Sequence, residues 1–522
     1  MRIPMRTANI SLKHARGVAL PLFRGRSAAL AAAALLLLAG CNIGPKYHPP
    51  APPRIAAHNY QQSTVNFRNE PGWKVASPSA AMLRGPWWTI YHEPELNALE
   101  DQLNINNQNI RQYFEQYMAA RALIAEARAQ FWPTLTAGPS FGRAKSSGNL
   151  RASSLANTGS TSTMWTAPLD ASWAPDVWSK VRDEVRSAEY AAQVSAADLQ
   201  TEKLTEQASL AEYYFEIRGQ DMLEQILNQT VAADQKAYDA NEGAYQAGTG
   251  DYISVVEARA TLAADKSAAI NVGLARAQYE HAIAVLLGRV ATDFSIPVHP
   301  MTYNPPAIPV GFPSELVERR PDVAAAERML AEANATIGVG YGAFFPQFTL
   351  SARGGTESSA IAHIADWPSR FWSLGVAASQ VVFDAGLYRA TLHQYEATYN
   401  ADLANYRETS LVAFQQVEDA LAGVRIYSQQ VLQQKQAVKA AQQFLTLEMQ
   451  RYQSGLDPYV NVVTAQDTVL GDQQALNILE VNQMTASVQL IQALGGGWNT
   501  GQLPTPKQVG KKVPPRDYKI LK

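Results

Sequence analysis

The side chains that could perform covalent or metal chemistry are few and scattered along this sequence. Cys41 is the only cysteine in 522 residues, which excludes an internal disulfide and a cysteine-rich zinc site. The eight histidines show no HExxH or HxxxH pairing, and no GxxxxGK(S/T) phosphate-binding loop occurs. Acidic and basic residues are spread along predicted helices and do not converge as the groups of an active site would. The sequence therefore predicts no catalytic residue, metal site or cofactor, and the net charge of −2 gives no reason to expect a nucleic-acid partner.

Cys41 follows a segment that is typical of an export signal. Basic residues between Arg2 and Arg26 precede an almost wholly apolar run, Ser27 to Ala39. This run is shorter than the roughly 20 residues of a membrane-spanning helix and has the proportions of a signal-peptide core. The motif Leu38-Ala39-Gly40-Cys41 resembles the lipobox of bacterial lipoproteins, in which the cysteine thiol is joined to diacylglycerol by a thioether.

We therefore interpret residues 1–40 as a lipoprotein signal that is removed and Cys41 as the lipid-attachment site. Asn42 follows the cysteine, and in lipoproteins a residue other than Asp at this position usually implies the outer membrane. The alternative is an ordinary secretory signal that leaves a free cysteine.

The remaining chain contains two copies of one unit of about 200 residues. The segment Tyr245-Gln246-x-Gly248 matches Tyr452-Gln453-x-Gly455 at an offset of 207. Tyr252 matches Tyr459 at the same offset, and Leu287-Gly288 matches Leu494-Gly495. A repeat of this length is too long for a solenoid and indicates internal pseudo-symmetry.

Each copy follows one predicted order of helix, two strands, long helix, glycine-rich turn and return helix. In the first copy the leading helix covers 95–130, the long helix 176–246 and the return helix 252–287, and no proline interrupts residues 176–296. In the second copy, apolar residues between 399 and 431 recur at steps of four and three, as in a coiled-coil seam, with Ser410 as the one polar break. We divide the chain into a signal (1–40), an N-terminal segment (41–94), a first repeat (95–287), a Pro-rich linker (288–314), a second repeat (315–494) and a tail (495–522).

Alternating polar and apolar residues predict four strands, two before each long helix. They lie at 134–142, 165–174, 348–353 and 373–379, and aromatic residues near their ends suit the girdle of a membrane sheet. The alternative is a soluble sheet packed on a helix face. If the strands lie in lipid, four cannot close alone, because open edges leave unpaired amides and membrane barrels begin at eight strands. We therefore expect several copies to share one barrel, with polar residues facing the lumen and apolar residues facing the lipid.

Several stretches together resemble a known family. The run LVERRPDVAAAERMLAEANATIGVGYGAFFPQFTLS, from Leu316 to Ser351, is similar to the signature of TolC-like outer-membrane efflux proteins, specifically the NodT-type lipoproteins. CNIGPKYHPP from Cys41, WAPDVWSKVR from Trp173 and FDAGLYRA from Phe383 support the resemblance, which extends to about Trp498.

The resemblance implies a mainly α fold with a membrane β part. The expected assembly is a homotrimeric α/β barrel with four strands and long coiled helical hairpins per chain. It further implies an outer-membrane exit duct, lipid-anchored and largely periplasmic, that joins a periplasmic adaptor and an inner-membrane efflux pump and conducts drugs or other small toxic compounds passively. The main alternative is the duct of a type I protein secretion system. A passive porin, a soluble coiled-coil scaffold, the adaptor itself and an enzyme explain fewer of the features.

In this family the two hairpin turns close the periplasmic end, and charged residues ring the aperture. The family's acidic ring usually falls on positions that Asn461 and Thr464 occupy here, and neither residue is charged. We hypothesise that Glu257, which matches Thr464 at the offset of 207, supplies the ring charge. The alternatives are a solvated helix face for each acid and ordinary interhelical packing for each tyrosine. The candidate gate residues are Asp251, Glu257, Asp457, Asn461, Thr464, Asp467, Tyr245 and Tyr452, and the turn glycines are Gly248, Gly250 and Gly455.

Overall fold

The computed structural model describes residues 42–51, 85–147, 161–300, 303, 305–308 and 316–511. The predicted signal, Cys41 and parts of the predicted N-terminal segment, linker and tail lie outside these residues. The chain divides into two compact units. Of the described residues, a strand unit contains 42–43 and those within 131–180 and 341–382, and a helical unit contains those within 44–130, 181–340 and 383–511.

Two hairpins of equal dimensions dominate the helices. Each pairs a helix of 67 residues with a return helix of 35. Among the described helices, none is both long enough and apolar enough to cross a bilayer. The helices are α1 (Pro94–Asn106), α2 (Gln108–Ala129), α3 (Lys180–Gln246), α4 (Tyr252–Leu286), α5 (Leu316–Arg319), α6 (Pro321–Gly342), α7 (Leu387–Gln453), α8 (Tyr459–Ala493) and α9 (Pro506–Val509).

The structure corrects two predicted helix boundaries. The leading helix is interrupted at Asn107, whose backbone is extended and whose side chain accepts a hydrogen bond from the Ile110 amide at 2.9 Å. The Asn107 side chain also donates to the carboxylate of Glu206 at 2.9 Å, so α2 begins where a tertiary contact fixes its cap. The first long helix begins at Lys180 and not at 176, because Ser179 has a left-handed φ of 64° that a right-handed helix cannot contain.

The predicted seam of α7 is confirmed as a packed surface. Tyr406, Ala413 and Val417 are buried against Val323 of α6 and Leu490 of α8. The polar break, Ser410, is buried as well, and its hydroxyl donates to the Tyr406 carbonyl at 2.8 Å, so the group is satisfied within the helix.

A buried ionic network near the start of the linker was not apparent in the sequence. The side chain of Arg218 is fully buried, donates to Asp221 at 2.7 Å and to the Pro297 carbonyl at 2.8 Å, and pairs with Glu95. Arg276 of α4 donates to the second Asp221 oxygen at 2.7 Å. Because both charges of Arg218 and Asp221 are paired, their burial is tolerated, and they join α1, α3, α4 and the linker.

The strand unit is an antiparallel sheet that is four strands wide. The predicted first strand is split at Gly138-Pro139, but the register continues across the gap, since Ala137 faces Leu169 and Ser140 faces Thr166. Pro139 has no N–H to donate, so the ladder is interrupted there without a change of partner. The segments β1 (Thr134–Ala137) and β2 (Ser140–Lys145) therefore share one edge, followed in order by β3 (Thr161–Trp173), β4 (Gln347–Ser358) and β5 (Arg370–Ser379).

The two faces of this sheet differ in chemistry. The row Thr136, Asp170, Arg353 and Ser373 crosses the sheet on one face, and the Asp170 and Arg353 side chains form an ion pair at 3.3 Å. The next row, on the other face, is Leu135, Ala171, Ala352 and Leu374. Leu374 is 76 % exposed, so the described chain leaves this apolar face uncovered.

Candidate functional site

The first hairpin turn is stabilised by its backbone and by one capping acid. After α3 ends, Gly248 adopts a φ of 74°, which few other residues tolerate, and its amide donates to the Tyr245 carbonyl at 2.9 Å. The Gly250 amide donates to the Ala244 carbonyl at 2.9 Å. Asp251 caps α4 by accepting from the Ser254 amide at 2.7 Å, and this hydrogen bond holds the pKa of Asp251 below its ordinary value. The exposed Asp251 therefore remains ionised at neutral pH.

The second turn uses an ion pair where the first uses a cap. Gly455 has a φ of 68°, and its amide donates to the Tyr452 carbonyl at 2.9 Å. Asp457 accepts two hydrogen bonds from Arg451, one of them at 3.1 Å, and this guanidinium lowers the pKa of Asp457. The charge of Asp457 is thus neutralised within its own hairpin, while Pro458 leaves α8 without a side-chain cap.

Tyrosines pack in the same way at both turns, and one of them forms a hydrogen bond from the second hairpin to the first. The ring centroids of Tyr245 and Tyr252 lie 5.3 Å apart, as do those of Tyr452 and Tyr459. The Tyr452 hydroxyl donates to the side-chain carbonyl of Asn241 on α3 at 2.7 Å, which joins the second hairpin to the first. Tyr245 is 44 % exposed. Sequence reasoning missed Asn241, because no local spacing relates it to Tyr452.

The other predicted gate residues lie on the return helices. Glu257 of α4 is half-buried. The pKa of Tyr459 is raised to about 12, first by burial, then by Asp234 and Tyr452, and to a smaller extent by Glu257. Asn461 is half-buried, and Thr464 is exposed with its hydroxyl donating to the Val460 carbonyl at 2.9 Å. Neither carries a charge, so Glu257 is the acid among these residues that acts on Tyr459 of the second turn.

Asp467 belongs to a carboxylate cluster that the sequence did not reveal. Asp234 of α3 is only 2 % exposed, and among the described residues neither of its oxygens has a hydrogen-bond donor. Its carboxylate faces Asp265 of α4 and is close to Asp467 of α8. Burial, followed by these two acids, raises the pKa of Asp234 to about 7. Because Asp234 is buried beside two other acids and has no donor among the described residues, its protonated form is favoured up to about pH 7.

The segment that follows Cys41 is fixed to α6. The Tyr47 hydroxyl donates to the Glu327 carbonyl at 3.3 Å, and the Asn334 side chain donates to the Pro45 carbonyl at 3.1 Å. Gly44 approaches Gly338 so closely that a Cβ on Gly44 would lie 2.8 Å from the Gly338 Cα. Cys41 itself lies outside the described residues. Within those residues, no three His, Cys, Asp or Glu side chains are placed to hold a metal ion.

Two segments, residues 99–289 and 312–496, match the family model of the outer membrane efflux protein. The chain belongs to the outer membrane efflux protein family. It is 28 % identical to the probable efflux pump outer membrane protein TtgC of Pseudomonas putida over 470 aligned residues. The alignment covers 89 % of this chain and 95 % of TtgC. It is 30 % identical to the solvent efflux pump outer membrane protein SrpC of Pseudomonas putida over 475 aligned residues. That alignment covers 90 % of this chain and 98 % of SrpC. Among solved structures, the outer-membrane channel OprN matches with a TM-score of 0.77 at 26 % identity, covering 88 % of this chain and 100 % of OprN.

Membership of the outer membrane efflux protein family confirms four predictions. The fold is mainly helical with a small sheet, and the protein is located in the outer membrane with a large periplasmic helical part. It is a channel component of an efflux system and not an enzyme. Efflux is favoured over protein secretion, because the relatives are efflux proteins.

Proposed function

We propose that three copies of this outer membrane efflux protein close into one duct, with the sheets forming a membrane barrel and the helices a periplasmic tunnel. The observation that carries this proposal is the open sheet. Each copy has free edges at β1/β2 and at β5, and one apolar face that nothing in the described chain covers. In hydrocarbon, every unpaired edge group costs several kcal/mol, and four strands are too few to close. Three copies supply twelve strands and pair every edge, with the Asp170 row facing the lumen.

In this proposal the duct conducts passively between a periplasmic adaptor with its inner-membrane pump and the exterior. The pump supplies the energy, since the family is one of channels and not of enzymes. The relatives TtgC and SrpC are efflux pump proteins, and SrpC is a solvent efflux protein. We infer that the cargo consists of small toxic compounds such as organic solvents or drugs. A deletion strain should become sensitive to such compounds in a toxicant panel and recover with the intact gene.

We also propose that Cys41 carries diacylglycerol and anchors the chain. The contacts of Tyr47 and Pro45 with α6 support an ordered segment directly after the anchor. Two or three acyl chains give stable membrane attachment, because each buried methylene contributes about 0.8 kcal/mol. Labelled palmitate should be incorporated into the intact chain and not into Cys41→Ser. Equal labelling of the variant would refute the assignment of Cys41 as the lipid-attachment site.

The hairpin turns form the periplasmic gate in this proposal. The hydrogen bond between Tyr452 and Asn241 holds the two hairpins of a subunit together, and the Arg451–Asp457 pair fixes the second turn. Three copies of Glu257 give the constriction a negative charge that favours cations. Opening the gate requires the Tyr452–Asn241 bond to break, since it spans the two elements that must separate.

The assembly is tested by the mass of the purified protein. Extracted in mild detergent, the full chain should give a native mass of three subunits, and reconstituted into a planar bilayer it should give discrete conductance steps. A stable lone subunit without conductance would refute the duct. Labelling of β3 by water-soluble reagents on both faces would refute the membrane placement of the sheet separately from the oligomeric state.

A further inference from the structure

The apolar face of the sheet ends in three basic side chains. Arg143 and Lys145 lie on β2, where alternate residues share the face of Phe141 and Trp165. Arg370 begins β5 opposite Thr356, on the face that also carries Trp372 and Leu374. All three basic residues are exposed, and none has an acidic partner among the described residues.

Aromatic rings lie close to these cations. The rings of Phe141 and Trp165 are 4.3 Å apart across β2 and β3, and the Arg370 guanidinium lies 4.1 Å from the ring centroid of Trp367. Below them the apolar face continues along β3 from Trp165 to Trp173, about 27 Å of strand. This length is close to the apolar band of roughly 25 Å in outer-membrane barrels. Arg143 and Lys145 pair with Thr163 and Thr161, beyond Trp165, and so lie past the edge of the band at the depth of lipid headgroups. Arg370 pairs with Thr356 opposite Ala167, just inside that edge, where a long basic side chain can extend to the headgroups.

The position of the cations selects one leaflet. The polypeptide enters and leaves the sheet for the helical unit at the opposite end of the strands, next to Pro133, Ala174 and Gln380. Arg143, Lys145 and Arg370 lie at the other end, where β2 is followed along the chain by β3 and β4 by β5. Because the helical part is periplasmic, this end faces the exterior, and its headgroups belong to the outer leaflet.

We propose that this basic rim binds the phosphate groups of a bis-phosphorylated, multiply acylated glycolipid of the outer leaflet. The proposal rests on the trimeric duct of the proposed function. When copies join, the edge with Arg143 and Lys145 lies next to the edge with Arg370 of the neighbouring copy. A headgroup with two phosphates can contact both edges at once, whereas a phosphodiester lipid offers a single phosphate to one of them. The acyl chains then cover the face that carries Trp372 and Leu374, and the lipid fastens each subunit junction.

Native mass spectrometry of the intact, detergent-extracted assembly tests the proposal. The variant Arg143→Gln/Lys145→Gln/Arg370→Gln is titrated with purified bis-phosphorylated lipid A, with phosphatidylglycerol and with phosphatidylcholine. Each basic residue near an anionic headgroup contributes roughly fivefold to binding, so the triple variant should bind lipid A roughly 100-fold more weakly. Phosphatidylcholine binding should not change. The matched control is Arg353→Gln, which removes a cation from the polar face of the same sheet and should leave lipid A binding intact.

A second measurement leaves the protein unaltered. The unmodified assembly should bind lipid A that lacks both phosphates as weakly as the triple variant binds the intact lipid. Equal binding of the two lipids by the unmodified protein, or unchanged lipid A binding by the triple variant, would overturn the proposal. An equal loss of lipid A and phosphatidylglycerol would overturn its assignment to the glycolipid. A lone-subunit mass without added lipid would instead overturn the proposed trimer, so the two failures are distinguishable.

Discussion

Replacing Asp234 with Asn should remove a pH dependence from the first hairpin. The pKa of Asp234 is raised to about 7 from an ordinary value of 3.8 by burial and by Asp265 and Asp467. Between these pH values the folded hairpin holds a proton that the unfolded chain has released. Stability is therefore full below pH 3.8, falls by about 1.4 kcal/mol for each pH unit as the pH rises, and becomes constant above pH 7.

The size of the effect follows from the width of this window. The interval from 3.8 to about 7 corresponds to at most about 4 kcal/mol, and screening by solvent and relaxation of the helices reduce the expected value to roughly 2–4 kcal/mol. Asp234→Asn mimics the protonated form, because its amide donates to the neighbouring carboxylate without a charge. The variant should be close to neutral at pH 4 and more protected than the unmodified protein at pH 7.5.

Hydrogen exchange of the detergent-extracted assembly measures this directly, because it reports local opening. Peptides from residues 228–246 should lose protection between pH 5 and 7.5 in the unmodified protein after correction for intrinsic exchange, and the Asp234→Asn profile should be flat. The control is Asp239→Asn, an exposed acid on the same helix, which should retain the pH dependence. A flat profile in the unmodified protein, or loss of the dependence in the control, would refute the reasoning.

Three further predictions concern the gate and the core. Tyr452→Phe should weaken the contact between hairpins by about 1–2 kcal/mol, because Asn241 loses a buried partner, and should raise the single-channel open probability. Tyr245→Phe, at an exposed position, should leave the open probability unchanged. An equal increase in both variants would exclude the Tyr452–Asn241 hydrogen bond as the cause. Glu257→Gln should lower cation selectivity in single-channel recordings. Unchanged selectivity would refute the hypothesis that Glu257 lines the constriction. Arg218→Met should lower the free energy of unfolding in urea by roughly 3–5 kcal/mol, because it leaves a buried carboxylate short of a partner, and a loss below about 1 kcal/mol would contradict the network.

The long hairpins were predictable because their signals are local. Residues 180–246 contain no proline, and the turn glycines Gly248 and Gly455 occupy positions with positive φ that glycine favours. The break at Asn107 was not predictable, because the sequence around it reads as continuous helix. Its cap is fixed by Glu206, which is distant in the chain and reaches Asn107 only in the folded protein.

The candidate site divides in the same way. The turn residues Asp251 and Asp457 were named as candidates because they lie next to the glycine-rich turns, and their hydrogen bonds stay within those turns. Asp234 was not, because its neighbours come from two other helices and no spacing along the chain brings them together. The strand pattern correctly separated the two faces of the sheet, but the interruption at Pro139 was missed, since side-chain alternation does not report a missing amide hydrogen.

The two repeats have helices of the same length but differ in the charged residues that stabilise their hairpins. Equal helix lengths and equal tyrosine stacking preserve the geometry that a pseudo-symmetric tunnel needs. At the offset of 207, however, Asp234 corresponds to Ala441, and the capping Asp251 corresponds to Pro458. A buried acid without a basic partner destabilises its helix as it ionises, whereas the Arg451 ion pair of the second hairpin keeps its charges matched over the same pH range. The contact of Asp234 with Asp265 and with Asp467 of α8 is therefore the part of each subunit whose packing responds to protons, whereas the second turn is fixed by its own ion pair.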